Sequence, residues 1–244
     1  DLHSFPTRRS SDLHIDVEHA LMYMAYSIFC DERLQGGVRE SVLIELATDY
    51  LNKWQYPDRA KAGSAARDFI EFCRGRAWIF SDVGLDADEN PLFQFTHRTF
   101  LEFFTAAHLA RIASTLEDLC QTLIVRVERS EWDVVSQLAL QIRAKPLQGG
   151  PDIVLSHLID ALEREPSLEA ISNLTTFIVR CLSFMIASPN MTQKIGKTLV
   201  HYIILMSEKG KEVDARDSCE EMWSAALEIR DYMEIGRASC RERV

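Results

Sequence analysis

The chain of 244 residues is acidic and moderately apolar: 37 Asp and Glu residues outnumber 27 Lys and Arg residues, the net charge is −10, and 47% of the residues are hydrophobic. Nucleic acids bind cationic surfaces, so this balance argues against nucleic acid as a partner. A membrane-spanning helix needs about 20 consecutive apolar residues, whereas the nearest candidate, Phe177–Ala187, is short and contains Arg180. We therefore expect no membrane partner either.

Both ends of the chain resemble a translated sequencing adapter. The codons TGT-AGG-GAA-AGA-GTG for residues 240–244 give, as their reverse complement, codons for residues 3–7. We expect residues 1–13 and 235–244 to be adapter-derived artefacts, and the natural part between them to be cut from a longer protein. Without the five arginines and three acidic residues of these ends, the net charge becomes −12.

Helices and one hairpin are predicted in the first half of the chain. Apolar residues recur at helical spacing in three segments: Val17–Glu32, Ser41–Leu51 and Ser64–Arg74. Two short β-prone segments follow, Ala77–Val83 and Leu92–Thr96, with an acidic turn between them. The order of helices, hairpin and a further helix predicts a winged helix.

The acidic turn partly matches a calcium-binding loop. Asp86, Asp88 and Asn90 match the first ligand positions of an EF-hand. However, Pro91 replaces the glycine at the sixth position, and His97 replaces the glutamate at the twelfth. Because a turning residue and a key ligand are both missing, we expect a plain hairpin tip and no metal site.

The pattern changes from strand to helix at His97. Phe93 and Phe95 alternate with polar residues, as in a half-buried strand. The next apolar residues take the spacing i, i+3, i+4 and i+7, which predicts a helix face that grips the core: Phe100, Phe103, Phe104 and Ala107. Thr99 and Glu102 have capping-box spacing, so we expect the helix to start between Arg98 and Phe100. His97 then lies at a helix N-terminus, which favours an anion.

The stretch Phe93–Ala110 resembles the closing motif of the winged helix in NACHT-family signalling NTPases of the STAND class. In that family the last strand passes through Phe-x-His into a helix that begins Phe-x-Glu-Phe-x-Ala-Ala. The residues of this chain that stand in this pattern are Phe95, His97, Phe100, Glu102, Phe103 and Ala106, while Thr105 replaces the first alanine and Ala107 follows one position later. The resemblance is sharp over residues 77–110.

This resemblance implies a nucleotide-dependent signalling switch. It assigns His97 as a cofactor-binding residue that contacts the β-phosphate of ADP, so that the winged helix closes on ADP and is released on exchange for ATP. It implies that ATP or ADP with Mg²⁺ is bound mainly by an upstream NTPase domain of the same protein, and that the activated protein forms a homo-oligomer. The implied setting is the cytoplasm, in microbial defence against foreign invaders.

The second half of the chain is predicted to be an α-helical array. Apolar residues recur at helical spacing in six segments: Leu116–Val127, Trp132–Ile142, Ile153–Leu162, Leu168–Ala187, Ile195–Met206 and Met222–Met233. No fixed period recurs, so no named repeat family is indicated. The expected fold is mainly α: a winged-helix element with one β-hairpin in residues 14–113, followed by an α-helical array in residues 114–234.

We predict no catalytic residue and no metal ligand in this chain. Gly196-Lys197-Thr198 has the end of a phosphate-binding loop, but Met191 replaces the first glycine and a helical pattern replaces the preceding strand. The parent protein that the resemblance implies is an ATPase, and we expect this part of it to be inactive alone. Five cysteines remain outside the adapter-like ends, and their odd number and wide spacing predict buried, reduced thiols: Cys30, Cys73, Cys120, Cys181 and Cys219.

Two alternative functions remain. A winged-helix DNA-binding regulator needs a basic recognition helix, but in residues 64–76 three arginines are interspersed with Asp68 and Glu71. In a purely structural helical scaffold, His97 has no ligand, and one ring nitrogen bonds a backbone carbonyl while the other meets water.

Overall fold

The structure is a computed structural model that describes residues 16–75, 77–164 and 167–209. These residues form nine α-helices and one small antiparallel sheet, so the predicted mainly α fold with a β-hairpin is confirmed. The chain divides into two compact units between Leu109 and Ala110. Among the described helices, none is long and apolar enough to cross a membrane. The adapter-like ends and the predicted helix Met222–Met233 lie outside the described residues.

The first unit has the arrangement of a winged helix. In order, its elements are α1 (Val17–Cys30), a short 3-10 turn (Glu32–Leu34), β1 (Val38–Arg39), α2 (Glu40–Trp54), α3 (Arg59–Gly75), β2 (Phe80–Leu85), β3 (Pro91–Phe95) and α4 (Arg98–Ile112). The sheet has the antiparallel order β1-β3-β2, in which Val38 is paired with Phe93 and Phe80 with Phe95. We term β2, β3 and the residues 86–90 between them the wing. The sequence pattern does not predict β1, because alternation is not visible in two residues.

The core of the first unit lies between the helices and the sheet. Its largest fully buried side chains come from α1, α2 and α3: Leu21, Met24, Leu43, Leu51, Phe69 and Ile70. The sheet adds Phe80 and Phe93, which are nearly inaccessible, and α4 adds Phe104 and Ala107. Burial of apolar surface of this kind is the main force that holds such a unit together.

The helix α3 begins earlier than the sequence pattern predicts, at Arg59 instead of Ser64. Asp58 caps its first turn: the carboxylate accepts the N–H of Ala60 at 2.9 Å, and the carbonyl accepts the N–H of Ala62 at 3.0 Å. The prediction missed this turn because alanines, glycine and charged residues give no clear apolar period there.

The strand β2 begins at Phe80, later than the predicted start at Ala77. Residues 77–79, which we term the tether, are held by α3: the N–H of Ala77 donates to the carbonyl of Phe72 at 3.1 Å, and the N–H of Ile79 donates to that of Cys73 at 3.0 Å. Regular pairing with β3 therefore starts only after the tether.

The second unit is helical. After the end of α4 it contains α5 (Leu116–Val127), α6 (Asp133–Ala144), α7 (Gly150–Leu162), α8 (Leu168–Leu182) and α9 (Pro189–Lys209). Along the described part of this unit, α5 packs against α6 and α7, and α7 packs against α8 and α9. The helix α8 also contacts α5, α6 and α9, so the described helices of this unit pack as one array and contacts are not confined to neighbouring helices.

The boundary between α8 and α9 differs from the prediction. The helix α8 ends at Leu182, well short of the predicted end, and α9 begins at Pro189. Proline disfavours helix in the residue before it and is well suited to a first helical position. Ser188 caps α9, because its Oγ accepts the N–H of Met191 at 3.2 Å, and its own N–H donates to Asp152 Oδ1 at 2.9 Å.

Candidate functional site

His97 lies between β3 and α4 and acts as the N-cap of the helix. Its carbonyl accepts the N–H of Phe100 at 3.0 Å, and its side chain is exposed. The imidazole packs edge-on against the ring of Phe100, with centroids 5.3 Å apart and an interplanar angle of 74°. Within the part of the chain that the structure describes, no hydrogen bond or ion pair involves this imidazole. The structural-scaffold alternative predicts a hydrogen bond from the His97 ring to a backbone carbonyl. The described residues contain no such hydrogen bond.

Thr96 holds the main chain directly before His97. Its N–H donates to the carbonyl of Ile79 at 2.8 Å, and its hydroxyl donates to the carbonyl of Trp78 at 2.7 Å. Trp78 has the left-handed backbone angle φ of 54°, which is uncommon for a bulky residue. The residues 96–98, which we term the junction, are thus fastened to the tether. The sequence pattern gives no signal for this contact.

The predicted capping box does not form. Thr99 lies inside the first turn of α4, and Glu102 accepts a hydrogen bond from Arg98 Nε at 2.9 Å instead of reaching back to the N-cap. The first turn of α4 contains no acidic residue. Because the first N–H groups of a helix have no intrahelical partner and lie at the positive end of its dipole, this terminus favours an anion.

The aromatic face of α4 packs against the core over only part of its length. Phe104 is 6% exposed, but Phe100 is 41% exposed, so the prediction is wrong for Phe100. Phe103 is partly buried, and its ring lies 5.6 Å from that of Phe104. Helical spacing identifies which residues share a face but not where along the helix the core ends. Here the ring of Phe100 lies beyond the core, whereas Leu101 next to it still packs against the core.

The other two described histidines of the first unit have partners. His19 is bound by Asp16 at the start of α1. The ring of His108 stacks on that of Tyr26 at a centroid distance of 4.8 Å, and it lies edge-on to Tyr23 at 6.0 Å. His108 is therefore a packing residue between α4 and α1. By contrast, His97 is exposed, and its ring contact within the described residues is with Phe100.

A hollow of about 270 Å³ adjoins the junction. Its lining includes the apolar residues Phe80, Phe93 and Phe95, together with Thr96 and Arg98 of the junction. His97 is not part of its lining. The hollow was not predictable from local pattern, because its walls come from α1, the sheet and α4.

Two of the four cationic side chains of α3 form ion pairs with acidic residues. Arg59 pairs with Asp49 at 2.8 Å, and Arg74 pairs with Glu40 at 2.6 Å. The guanidinium of Arg74 also lies over the ring of Phe93, at 4.1 Å from its centroid. Since α3 is the helix that would enter a DNA groove, these pairs weigh against the DNA-binding alternative.

The acidic turn of the wing is closed by hydrogen bonds to one of its own carboxylates. Asp86 Oδ1 accepts the N–H of Asp88 at 2.8 Å and that of Asn90 at 2.9 Å. Within the described residues, no group of three or more His, Cys, Asp and Glu side chains is arranged to hold a metal ion. Gly196-Lys197-Thr198 lies inside α9, as its apolar period predicts.

The prediction of buried thiols is confirmed for three of the four described cysteines and is wrong for Cys30. Cys73, Cys120 and Cys181 are buried, whereas Cys30, the last residue of α1, is exposed. Burial raises the pKa of Cys73, and it raises the pKa of Cys120 and of Cys181 to about 12. Cys219 lies outside the described residues.

The candidate site is therefore the exposed imidazole of His97, set at the N-terminus of α4 by the junction. It lies within the stretch of the chain that resembles the NACHT closing motif, Phe95 to Ala106. No protein-family model, no curated protein and no solved structure matches the chain.

Proposed function

We propose that the chain is part of a nucleotide-dependent signalling switch of the NACHT type, whose winged helix closes on bound ADP and is released when ATP replaces ADP. In this proposal His97 contacts the phosphate of ADP. The observation that carries it is the position of His97: its ring is exposed at the N-cap of α4, and no described residue forms a hydrogen bond or ion pair with it.

The chemistry of the junction suits a phosphate oxygen. An imidazole N–H can donate to it, and the unpaired N–H groups of the first turn add the field of the helix dipole. Hydrogen bonds to a charged group contribute about 1.5–3 kcal/mol, and a helix terminus adds about 0.3–1 kcal/mol. A contact of this size changes an equilibrium about 10- to 1,000-fold. A free-energy contribution of this size is enough to hold the winged helix closed on a nucleotide that is bound mainly by another domain.

The remaining parts of the proposed switch lie in an upstream domain. A P-loop is absent from the sequence, so ATP or ADP with Mg²⁺ would be held by an NTPase domain in the same protein. Release of the winged helix would then allow copies of the whole protein to oligomerise. The proposed setting is the cytoplasm, in microbial defence.

The coding sequence upstream of this chain gives the first test. We expect it to encode Gly-x-x-x-x-Gly-Lys followed by Ser or Thr, after a predicted strand and before a predicted helix. If a complete upstream reading frame contains no such loop, the proposal fails.

The second test uses the protein that includes the nucleotide-binding domain. We expect His97→Ala to speed the release of labelled ADP about 10- to 100-fold, because a hydrogen bond to a charged group is lost. His201→Ala is the matched control: His201 is also exposed, and its ring meets Tyr202 edge-on at 5.2 Å and 74°. Unchanged ADP release in His97→Ala would favour the structural scaffold. Salt-dependent binding of duplex DNA would favour the DNA-binding regulator.

A further inference from the structure

We infer that Thr96 is a positioning residue for His97, and that its hydroxyl acts by fastening the junction to the carbonyl of Trp78. The inference rests on the proposed function of His97. It adds to that proposal a residue outside the family motif quoted above.

Two consecutive carbonyls of the tether hold Thr96. Its N–H donates to Ile79 at 2.8 Å, and its hydroxyl donates to Trp78 at 2.7 Å. The strand β3 ends one residue earlier, at Phe95. Thr96 is thus the last point at which the chain is bonded to its neighbour before it turns into α4.

The tether is in turn bonded to α3. Two of its N–H groups, those of Ala77 and Ile79, donate to the carbonyls of Phe72 and Cys73 near the end of that helix, and Cys73 is fully buried. Backbone hydrogen bonds therefore run from α3 through the tether to Thr96. They place the junction relative to the core of the winged helix, and not only relative to the end of β3.

Side-chain contacts of His97 give little additional restraint. The ring is exposed and packs against Phe100, which is itself 41% exposed. The position of the imidazole therefore depends mainly on the backbone from which it extends. Without the hydroxyl of Thr96, the carbonyl of Trp78 loses its donor and one of the two bonds that hold this backbone is gone.

The experiment compares Thr96→Val, which keeps the shape but removes the hydroxyl, with Thr96→Ser, which keeps the hydroxyl. In the protein with its nucleotide-binding domain, we expect Thr96→Val to release ADP about 3- to 10-fold faster than the wild type, because one neutral hydrogen bond is lost. We expect Thr96→Ser to match the wild type. The double variant Thr96→Val/His97→Ala should release ADP no faster than His97→Ala alone, because Thr96 acts through His97.

A second readout needs no nucleotide. In the 244-residue chain, we expect the amide proton of residue 96 to exchange at least about threefold faster in Thr96→Val than in the wild type, and Thr96→Ser to leave the rate unchanged. Melting curves of each variant check that it folds. If Thr96→Val does not fold, Thr96→Ala takes its place, since it lacks the hydroxyl and adds no methyl group.

The outcomes separate the two proposals. If His97→Ala speeds ADP release but Thr96→Val does not, the role of Thr96 is overturned while the role of His97 stands. Equal defects in Thr96→Ser and Thr96→Val, or additive effects with His97→Ala, would also overturn it. If His97→Ala does not change the rate of ADP release, the proposed function fails, and the role of Thr96 fails with it.

Discussion

Arg39, at the end of β1, forms an ion pair with Asp86 in the turn of the wing. A second ion pair joins Arg39 to Asp88 at 3.0 Å. The carboxylate of Asp86 also accepts the main-chain N–H groups of Asp88 and Asn90. The side chain of Asp86 thus closes the turn of the wing and also links that turn to β1, the edge strand opposite β2.

We expect Asp86→Asn to lower the melting temperature at pH 7, and the difference from the wild type to disappear in acid. Hydrogen bonds from the main chain of Asn90 and Asp88, together with the charge of Arg39, hold the pKa of Asp86 below its ordinary value. A lowered pKa in the folded state stabilises the protein above the ordinary carboxyl pKa of about 4, and this contribution is lost as the pH falls through the lowered value. Thermal melts from pH 7 to about pH 2 measure it.

Asp88→Asn is the control for that experiment. Asp88 pairs with Arg39 but its carboxylate accepts no main-chain N–H of the turn. Its replacement should change the melting temperature less than that of Asp86 at pH 7. A deficit of Asp86→Asn that persists undiminished in acid would show that the charge of Asp86 does not matter.

The two aromatic residues Phe100 and Phe104 of α4 should respond differently to truncation. Phe104 is 6% exposed, so Phe104→Ala leaves a cavity and should lower the free energy of unfolding by about 3–5 kcal/mol. Phe100 is 41% exposed, and Phe100→Ala should cost less than about 1 kcal/mol. Urea unfolding followed by circular dichroism compares them. Similar losses for both would place Phe100 in the core, contrary to the structure.

Gly150, at the start of α7, has no room for a methyl group. A Cβ atom there would lie 2.2 Å from the carbonyl oxygen of Ala144, at the end of α6. We therefore expect Gly150→Ala to force a backbone shift and to cost about 1–3 kcal/mol. The neighbouring Gly149 has φ of +72° but open space around it.

Because asparagine tolerates the left-handed conformation, Gly149→Asn is a suitable control and should cost less than about 0.5 kcal/mol. Chemical unfolding of the two variants measures the difference. Equal stability of Gly150→Ala and the wild type would mean that α6 and α7 are not as close as the structure shows.

Thiol labelling should separate Cys30 from the buried cysteines. In a variant with Cys219→Ser and Cys240→Ser, we expect Ellman's reagent at pH 8 to label Cys30 rapidly and the other thiols only after denaturation. Cys73, Cys120 and Cys181 are buried, and with a pKa of about 12 only roughly one in 10⁴ of the Cys120 and Cys181 thiols is ionised at pH 8.

The pH dependence of labelling follows from the same burial. Raising the pH to 9.5 keeps Cys120 and Cys181 far below their raised pKa, so their slow labelling should persist while the fold is intact. Rapid labelling of more than one thiol in the native protein would contradict the burial of these residues. Mass spectrometry of the labelled peptides identifies which cysteine reacts.

Periodicity in the sequence predicts much of the fold. The bounds of α5 are correct because Thr115 caps a strongly amphipathic segment, with its side chain accepting the N–H of Asp118 at 3.0 Å. The wing is also visible, since alternating residues flank an acidic turn. These signals depend on residues that are neighbours in the chain. The motif around His97 is local in the same way, because its residues lie in one strand and the helix that follows it.

Sequence alone determined the mainly α fold, the hairpin and the place of His97 between a strand and a helix, because local spacing encodes them. Only the tertiary structure decided that Phe100 is exposed, that Glu102 bonds Arg98, and that β2 starts after a tether held by α3. It also showed that Thr96 bonds Trp78. These features depend on where the core ends and on contacts between segments far apart in the chain, which spacing along one segment does not encode.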